Sequence, residues 1–555
     1  MEISFLGAAR TVTGSSFLLE HDGFSLLVDL GLPQGKDEKT LGLELPFSPF
    51  SIDAVVLTHA HIDHTGRIPL LAKLGYKGPI YATGATTELC TIMLEDSAHI
   101  QESEAEWKTR KRQRHGEDAV EPLYTSEDAD EALSLFRTIE YGERTELSPT
   151  MWIEAIDAGH LLGSCSIKVH CLLPEGEKTI VFSGDIGNID QPMIRNPEYF
   201  NDSDFVVMES TYGDRLHPAV SGDEHDTLIR RAEKLAKITD RTFRRGGNLV
   251  IPSFAVGRTQ ELLYLFRIIK DRKMLDYEIP VFLDSPLSVK ATRVFSSCLR
   301  SDYFDDEALE MINKGINPIL FPSLVTITDV NDSKALNDRK ESAVIISSSG
   351  MCEAGRIRHH LKHNLWRPES TVLFVGYQAE GTLGRSLIDG TDHVTLFGEQ
   401  ISVRAEIAVL EGTSGHADQK GLVKWVKEFR RKPEAVFVVH GEDNTAQYFA
   451  SKLKNEEGLH AYAPRFGERF DLLRDEIPVQ NDTALRRKTA SDIRAAFELL
   501  EKEKSGLESV IARMERASSG IDLTDEKKAR KLSDAIRRLA DDIAFLSKKW
   551  GGDAS

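Results

Sequence analysis

The sequence predicts a mixed α/β fold, and two observations carry that class. Short apolar runs broken by Gly and polar turns fill residues 1–60, as in a hairpin-rich sheet. From about 214 to 413, buried-strand patterns alternate with helical ones, the signature of a mostly parallel sheet covered by helices on both faces. At 555 residues the chain exceeds one ordinary domain, and about three units are expected.

Taken in order, 1–6, 15–20 and 24–29 read as strands, 52–58 as a further apolar strand, and 66–74 as a helix. Residues 85–140 read as helical and highly charged. The basic run Lys108-Thr-Arg-Lys-Arg-Gln-Arg114 within them is more simply a solvated face than an RNA contact. Strands return at 152–155, 166–172, 179–183 and 205–208, the last ending in Glu209-Ser-Thr-Tyr-Gly213. The alternating region supplies strands at 248–252, 280–283, 343–347 and 371–375, with a helix at 259–270. One more strand, 435–439, ends in His440, and no internal repeat is present.

Past residue 475 the character changes. Ile493, Phe497, Leu500, Leu507, Ile511 and Met514 follow 4-3 spacing, and Leu532, Ile536, Leu539, Ile543, Leu546 and Trp550 repeat it, with Ser518-Ser519-Gly520 between. Two amphipathic helices are expected, packed back on the chain or supporting a homodimer.

Composition narrows the class. Hydrophobic residues at 41% and charged ones at 28% describe a soluble globular protein. No run approaches the ~18 apolar residues of a membrane span, and the N-terminus carries no basic leader, so a cytoplasmic protein without membrane contact is expected. Five scattered cysteines form no C-x-x-C pair, which argues against a disulfide framework or a thiolate zinc site. The formal charge of −19 excludes a broadly basic surface but leaves room for local cationic sites.

The most informative segment is His59-Ala-His61-Ile-Asp63-His64. Alternate residues of an extended chain share a face, so His59 and His61 can grip one cation, while Asp63 and His64 reach a second where the chain bends. Imidazole and carboxylate are ligands zinc accepts in catalytic sites. Three later apolar strands or turns present His160, Asp185 and His440. Together these make seven ligands, the number a dinuclear site with one bridging carboxylate uses.

His-x-His-x-Asp-His, then a His, then Ser183-Gly-Asp185 resembles the metallo-β-lactamase superfamily. Glu209-Ser-Thr-Tyr-Gly, Ser414-Gly-His416-Ala-Asp418 and Val438-Val-His440-Gly-Glu are similar to its β-CASP branch of RNA-processing nucleases. The resemblance implies an αββα metallo-β-lactamase domain at 1–213 and 414–475, interrupted by a β-CASP α/β domain at 214–413, with 476–555 as a helical extension outside it. It implies two zinc ions, with manganese as the alternative: one on His59, His61 and His160, the other on Asp63, His64 and His440, bridged by Asp185. Asp63, Glu209 and His416 would be catalytic, Asp63 orienting the nucleophile and the Glu209–His416 pair standing next to the leaving group.

The activity implied is hydrolysis of single-stranded RNA, from within or from the 5′ end, leaving 5′-phosphate and 3′-hydroxyl ends. His440 favours RNA, since many DNA-acting relatives carry Val there. A DNA nuclease of the same superfamily and a small-molecule metallo-hydrolase are the alternatives; the second lacks the insertion. For the RNA backbone, two Gly-containing strand-to-helix turns stand out: Ser253 and Arg258 in one, Ser349, Gly350, Arg356 and His360 in the other.

Overall fold

The computed structural model describes residues 1–114, 118–217, 225–299, 303–376, 378–379, 381–410 and 414–474. The helices expected at 476–555, with the homodimer reading attached to them, lie outside the described residues.

Two seven-stranded sheets are stacked. The first runs Arg469–Asp471, Glu2–Gly7, Ser16–His21, Phe24–Val28, Ala54–Val56, Ile80–Thr83, Phe136–Ile139. Its N-terminal strands are antiparallel hairpins and its later ones parallel. The second runs Ala461–Tyr462, Ala435–Val439, Phe205–Glu209, Gly176–Phe182, Cys165–Leu173, Met151–Asp157, Thr145–Ser148.

Period-2 patterning explains the stacking. Ile3, Phe5, Leu19, Val28 and Val56 of the first sheet share one core with Ile167, Val169, Phe182, Phe205 and Phe437 of the second. Phe5 meets Phe437 with ring centroids 5.1 Å apart. Each such side chain contributes roughly 1.5–3 kcal/mol on burial. The intervening residues face outward onto helices. Leu18, Leu27, Val55 and Leu57 join Ile68, Leu71, Leu89 and Leu94, and Met208 and Val438 join Leu422, Trp425 and Phe449. The layers are therefore helix, sheet, sheet, helix.

A third sheet is wholly parallel, in the order Leu324–Ile327, Val281–Asp284, Val344–Ser347, Leu249–Pro252, Thr371–Phe374, Glu406–Val409. Both faces are covered: Leu249 and Ile251 pack toward Leu263 and Phe266, Val250 and Ile345 toward Leu361 and Leu365. The chain leaves the second sheet after Phe205–Glu209 and returns as Ala435–Val439 beside it, in parallel register with Glu209 opposite Val439. That return brings His440 next to Glu209 across more than two hundred residues of sequence.

Two local differences from the sequence reading have simple causes. The charged region at 85–140 is two helices, Gly84–Gln113 and Ser126–Ser134, followed by the edge strand Phe136–Ile139. The second helix starts at a capping box between Thr125 and Asp128. Ile80–Thr83 and Phe136–Ile139 have four residues each, too few to display a period. The helix expected at 66–74 is preceded by a separate short one, Ile62–Thr65, inside the histidine motif.

Candidate metal centre and catalytic site

The donors sit on the loops and the short helix that follow strand ends. The strand Ala54–Val56 leads through His59 to an extended His61, which precedes the helix Ile62–Thr65, so Asp63 and His64 sit in its only turn. Gly184 (φ +57°) makes the corner before Asp185, and a Cβ there would lie 2.8 Å from Thr58 Cβ. His440 itself holds φ 47°, the left-handed region that non-Gly residues rarely occupy.

These corners gather two groups of donors, His59, His61, His160 and Asp185 in one, Asp63, His64 and His440 in the other. In the first, His59 Nε2 and His160 Nε2 lie 3.0 and 3.3 Å from His61 Nδ1, and each is 3.5 Å from Asp185 Oδ2. In the second, His440 Nε2 is 3.6 Å from Asp63 Oδ2. Asp185 stands between the groups, with Oδ1 3.3 Å from His64 Nε2 and 3.6 Å from His440 Nε2.

The spacing fits a cation. Zinc–nitrogen bonds of 2.0–2.1 Å give a tetrahedron with edges of about 3.3–3.4 Å, in the middle of these separations. Asp185 Oδ1 and His440 Nε2 are buried without a hydrogen-bond partner among the described residues, a costly state unless something charged lies between them.

The rings are held from behind. Asp29, after strand Phe24–Val28, lies 2.8 Å from His64 Nδ1 and accepts the Thr58 N–H at 2.8 Å. Thr58 Oγ1 reaches His59 Nδ1 at 3.1 Å, the Gly415 carbonyl accepts from His160 Nδ1 at 3.1 Å, and Thr211 Oγ1 lies 3.0 Å from His440 Nδ1. Such partners fix which nitrogen faces the metal. Asp29, Thr58 and Thr211 were missed in the sequence; the signal was an Asp closing an apolar strand.

Burial pushes His59 and His160 well below the usual imidazole range, which keeps them in the neutral form that binds metal. Burial opposes protonation of His64 as well, but Asp185 and Asp29 outweigh it and raise its pKa. Asp185 is held far below the carboxylate range because the imidazoles around it, His440 foremost, overcome the burial penalty. This is a carboxylate-centred trap for positive charge.

Beside it, His416 Nδ1 lies 3.2 Å from Glu209 Oε1 and 3.9 Å from Asp185 Oδ2. Glu209 also accepts the N–H of Ile186 at 2.6 Å. Burial lowers the His416 pKa, but Glu209 and then Asp185 override it and push it up to about 9.

Of the expected substrate contacts, Arg258 comes near this site: a Cβ on Gly415 would lie 3.4 Å from His160 Cε1 and 3.7 Å from Arg258 Nη2. Ser253 is buried, its hydroxyl accepting from Thr259 at 3.1 Å. Gly350 abuts Phe254, where a Cβ would meet the ring at 3.0 Å, and Ser349 accepts the Ala354 N–H at 3.4 Å. Arg356 and His360 are drawn elsewhere, to Asp284, both at 2.7 Å. His360 is fully buried, with Asn337 Oδ1 2.9 Å from its other nitrogen, and offers no free donor to a phosphate. These two contacts brace the loop.

Comparison with known proteins agrees with this geometry. The family model described as the metallo-beta-lactamase superfamily matches residues 9–242, the Beta-Casp domain model 259–387, and the Zn-dependent metallo-hydrolase RNA specificity domain model 400–464. A ribonuclease of Thermus thermophilus is 37% identical over 84% of this chain and 99% of its own length. Transcription termination factors FttA of Methanocaldococcus jannaschii and Thermococcus kodakarensis are 31% and 30% identical, over 84% of this chain and 70% of theirs. No helix among the described residues is long and apolar enough to cross a membrane. The chain belongs to the metallo-β-lactamase superfamily, in its β-CASP branch.

Proposed function

We propose that the protein is a zinc-dependent ribonuclease that hydrolyses phosphodiester bonds of single-stranded RNA and leaves 5′-phosphate and 3′-hydroxyl ends. The observation that carries this reading is the Glu209–His416 pair set against Asp185, between two groups of metal ligands. Two zinc ions belong to the proposal, one on His59, His61 and His160, one on Asp63, His64 and His440, with Asp185 shared. So does the division of the chain at about 213 and 413, and a cytoplasmic setting, which five buried free cysteines suit.

When bound, the metals supply Lewis acidity and a nucleophile usable at neutral pH. The chain's own residues do the rest. Asp63, with an oxygen near His440, orients the attacking side. Glu209 holds His416 by Nδ1, which leaves Nε2 as the ring nitrogen to protonate the departing 3′-oxygen. The Gly415 carbonyl, by holding His160, fixes the residue next to His416 in the same stroke.

The test is cleavage of matched RNA and single-stranded DNA oligonucleotides, labelled at either end, with zinc or manganese supplied. RNA products bearing 5′-phosphate are expected. Equal cleavage of DNA would favour the DNA nuclease, and no cleavage of either would remove the proposal.

A further inference from the structure

Behind the Gly415 loop, two arginines compete for one carboxylate. Glu261 pairs through Oε2 with Nη1 of Arg258, one helical turn before it. Its other oxygen, Oε1, lies 3.9 Å from Nη1 of Arg231, on the adjacent helix His225–Arg244. All three side chains are largely buried, with 12%, 9% and 8% exposure for Arg258, Arg231 and Glu261. Arg231 Nε and Glu261 Oε1 have no hydrogen-bond partner among the described residues. Asp190 is the next carboxylate in electrostatic reach of Arg231, and it makes no ion pair with either arginine among the described residues.

Two buried guanidinium groups against one carboxylate leave a surplus of positive charge, and a buried charge without a partner is expensive. The surplus has a direction. Arg258 Nη2 and the His160 ring both lie within 3.7 Å of where a Gly415 Cβ would stand. Gly415 immediately precedes His416. Arg258 therefore flanks the loop that carries the catalytic histidine.

We propose that Arg231, Glu261 and Arg258 form an exchange subsite for a backbone phosphate. The phosphate takes Arg258, and Arg231 closes its long contact and takes over Glu261. The arrangement rests on the ribonuclease reading above. Arg258 is the residue that touches the ligand; Arg231 is a positioning residue, which acts by keeping Glu261 from holding Arg258 back. No bond is made or broken, and the bound phosphate neutralises the surplus positive charge. A purely structural tie between the two helices is the competing account, and it makes a different prediction about Glu261.

Steady-state cleavage of a single-stranded RNA oligonucleotide by the zinc-loaded full chain separates the two. Arg231→Met is expected to raise KM about tenfold with little change in kcat, the loss of one charge-assisted contact. Arg231→Met combined with Glu261→Gln should return KM to near the native value, because a neutral side chain no longer restrains Arg258. Glu261→Gln alone should lower KM several-fold, a result that stands even if Arg231→Met does not fold. Arg258→Ala should reduce the dependence of log affinity on log salt by about 0.7, the value for one phosphate contact on a single strand. An unchanged KM in Arg231→Met, a raised KM that Glu261→Gln leaves in place, or a raised KM in Glu261→Gln alone would each overturn the exchange. If the native chain cleaves no RNA, the ribonuclease reading fails instead, and direct binding of the same oligonucleotide to these variants still decides the subsite.

Discussion

His416 turns Nδ1 toward Glu209, 3.2 Å from Oε1, and the same carboxylate oxygen accepts the backbone N–H of Ile186, the residue after Asp185. One buried glutamate thus couples the His416 imidazole to the chain at the centre of the metal ligands. The first prediction follows. His416→Ala should leave metal content unchanged and lower kcat by about 10²–10⁴-fold. A substrate whose leaving group needs no protonation should recover most of that loss. Equal slowing of both substrates would show that His416 does not act as the acid.

Asp185 reaches donors of both groups, at 3.3–3.6 Å. Asp185→Asn removes the charge shared between them and should weaken both metals at once. Elemental analysis should fall from about two zinc ions per chain to below one. Full occupancy in the variant would assign the bridge elsewhere.

Much of this arrangement is written locally in the sequence. Four of the gathered donors fall within six residues, and His160, Asp185 and His440 each close an apolar run, so type and spacing expose them. The outer partners have no such density. Asp29 looks like any strand-end turn residue, and only the fold brings it to His64, 35 positions away. His360 shows the opposite case. Its loop has the Gly and cations of a phosphate site, but Asp284, 76 positions away, holds the buried ring. Partners set by tertiary packing are invisible to a local pattern.

Asp29 gives the third prediction. Its carboxylate fixes the His64 ring from the side opposite Asp185. Asp29→Asn, nearly the same in size, should weaken metal at Asp63, His64 and His440 by about 10–100-fold. The group containing His59 and His61 should be less affected. Competition with a chelator should then resolve two steps of zinc release, one shifted from the native chain and one close to it. A single step at the native affinity would remove Asp29 from the support of the site.

The last prediction concerns pH and a carboxyl that carries no metal role. Asp157 ends strand Met151–Asp157 and accepts the Gly159 N–H at 2.7 Å, on the turn that leads to His160. Burial raises its pKa to about 7; the Gly159 hydrogen bond opposes the shift and Glu198 adds to it. A carboxyl whose folded pKa exceeds its unfolded value binds its proton more tightly when folded. Its contribution to stability is therefore greatest at low pH and is lost as pH rises from about 4 to about 7. The full shift corresponds to on the order of 4 kcal/mol between the two ends of that window. Asp157→Asn keeps an acceptor for the Gly159 N–H and removes the titration. With zinc held constant, the Tm of the variant minus that of the native chain should climb across pH 4–7 and level off above it. A difference that stays flat across the window would mean that Asp157 ionises in the fold as easily as in the unfolded chain, and that burial at the end of this strand does not penalise its charge.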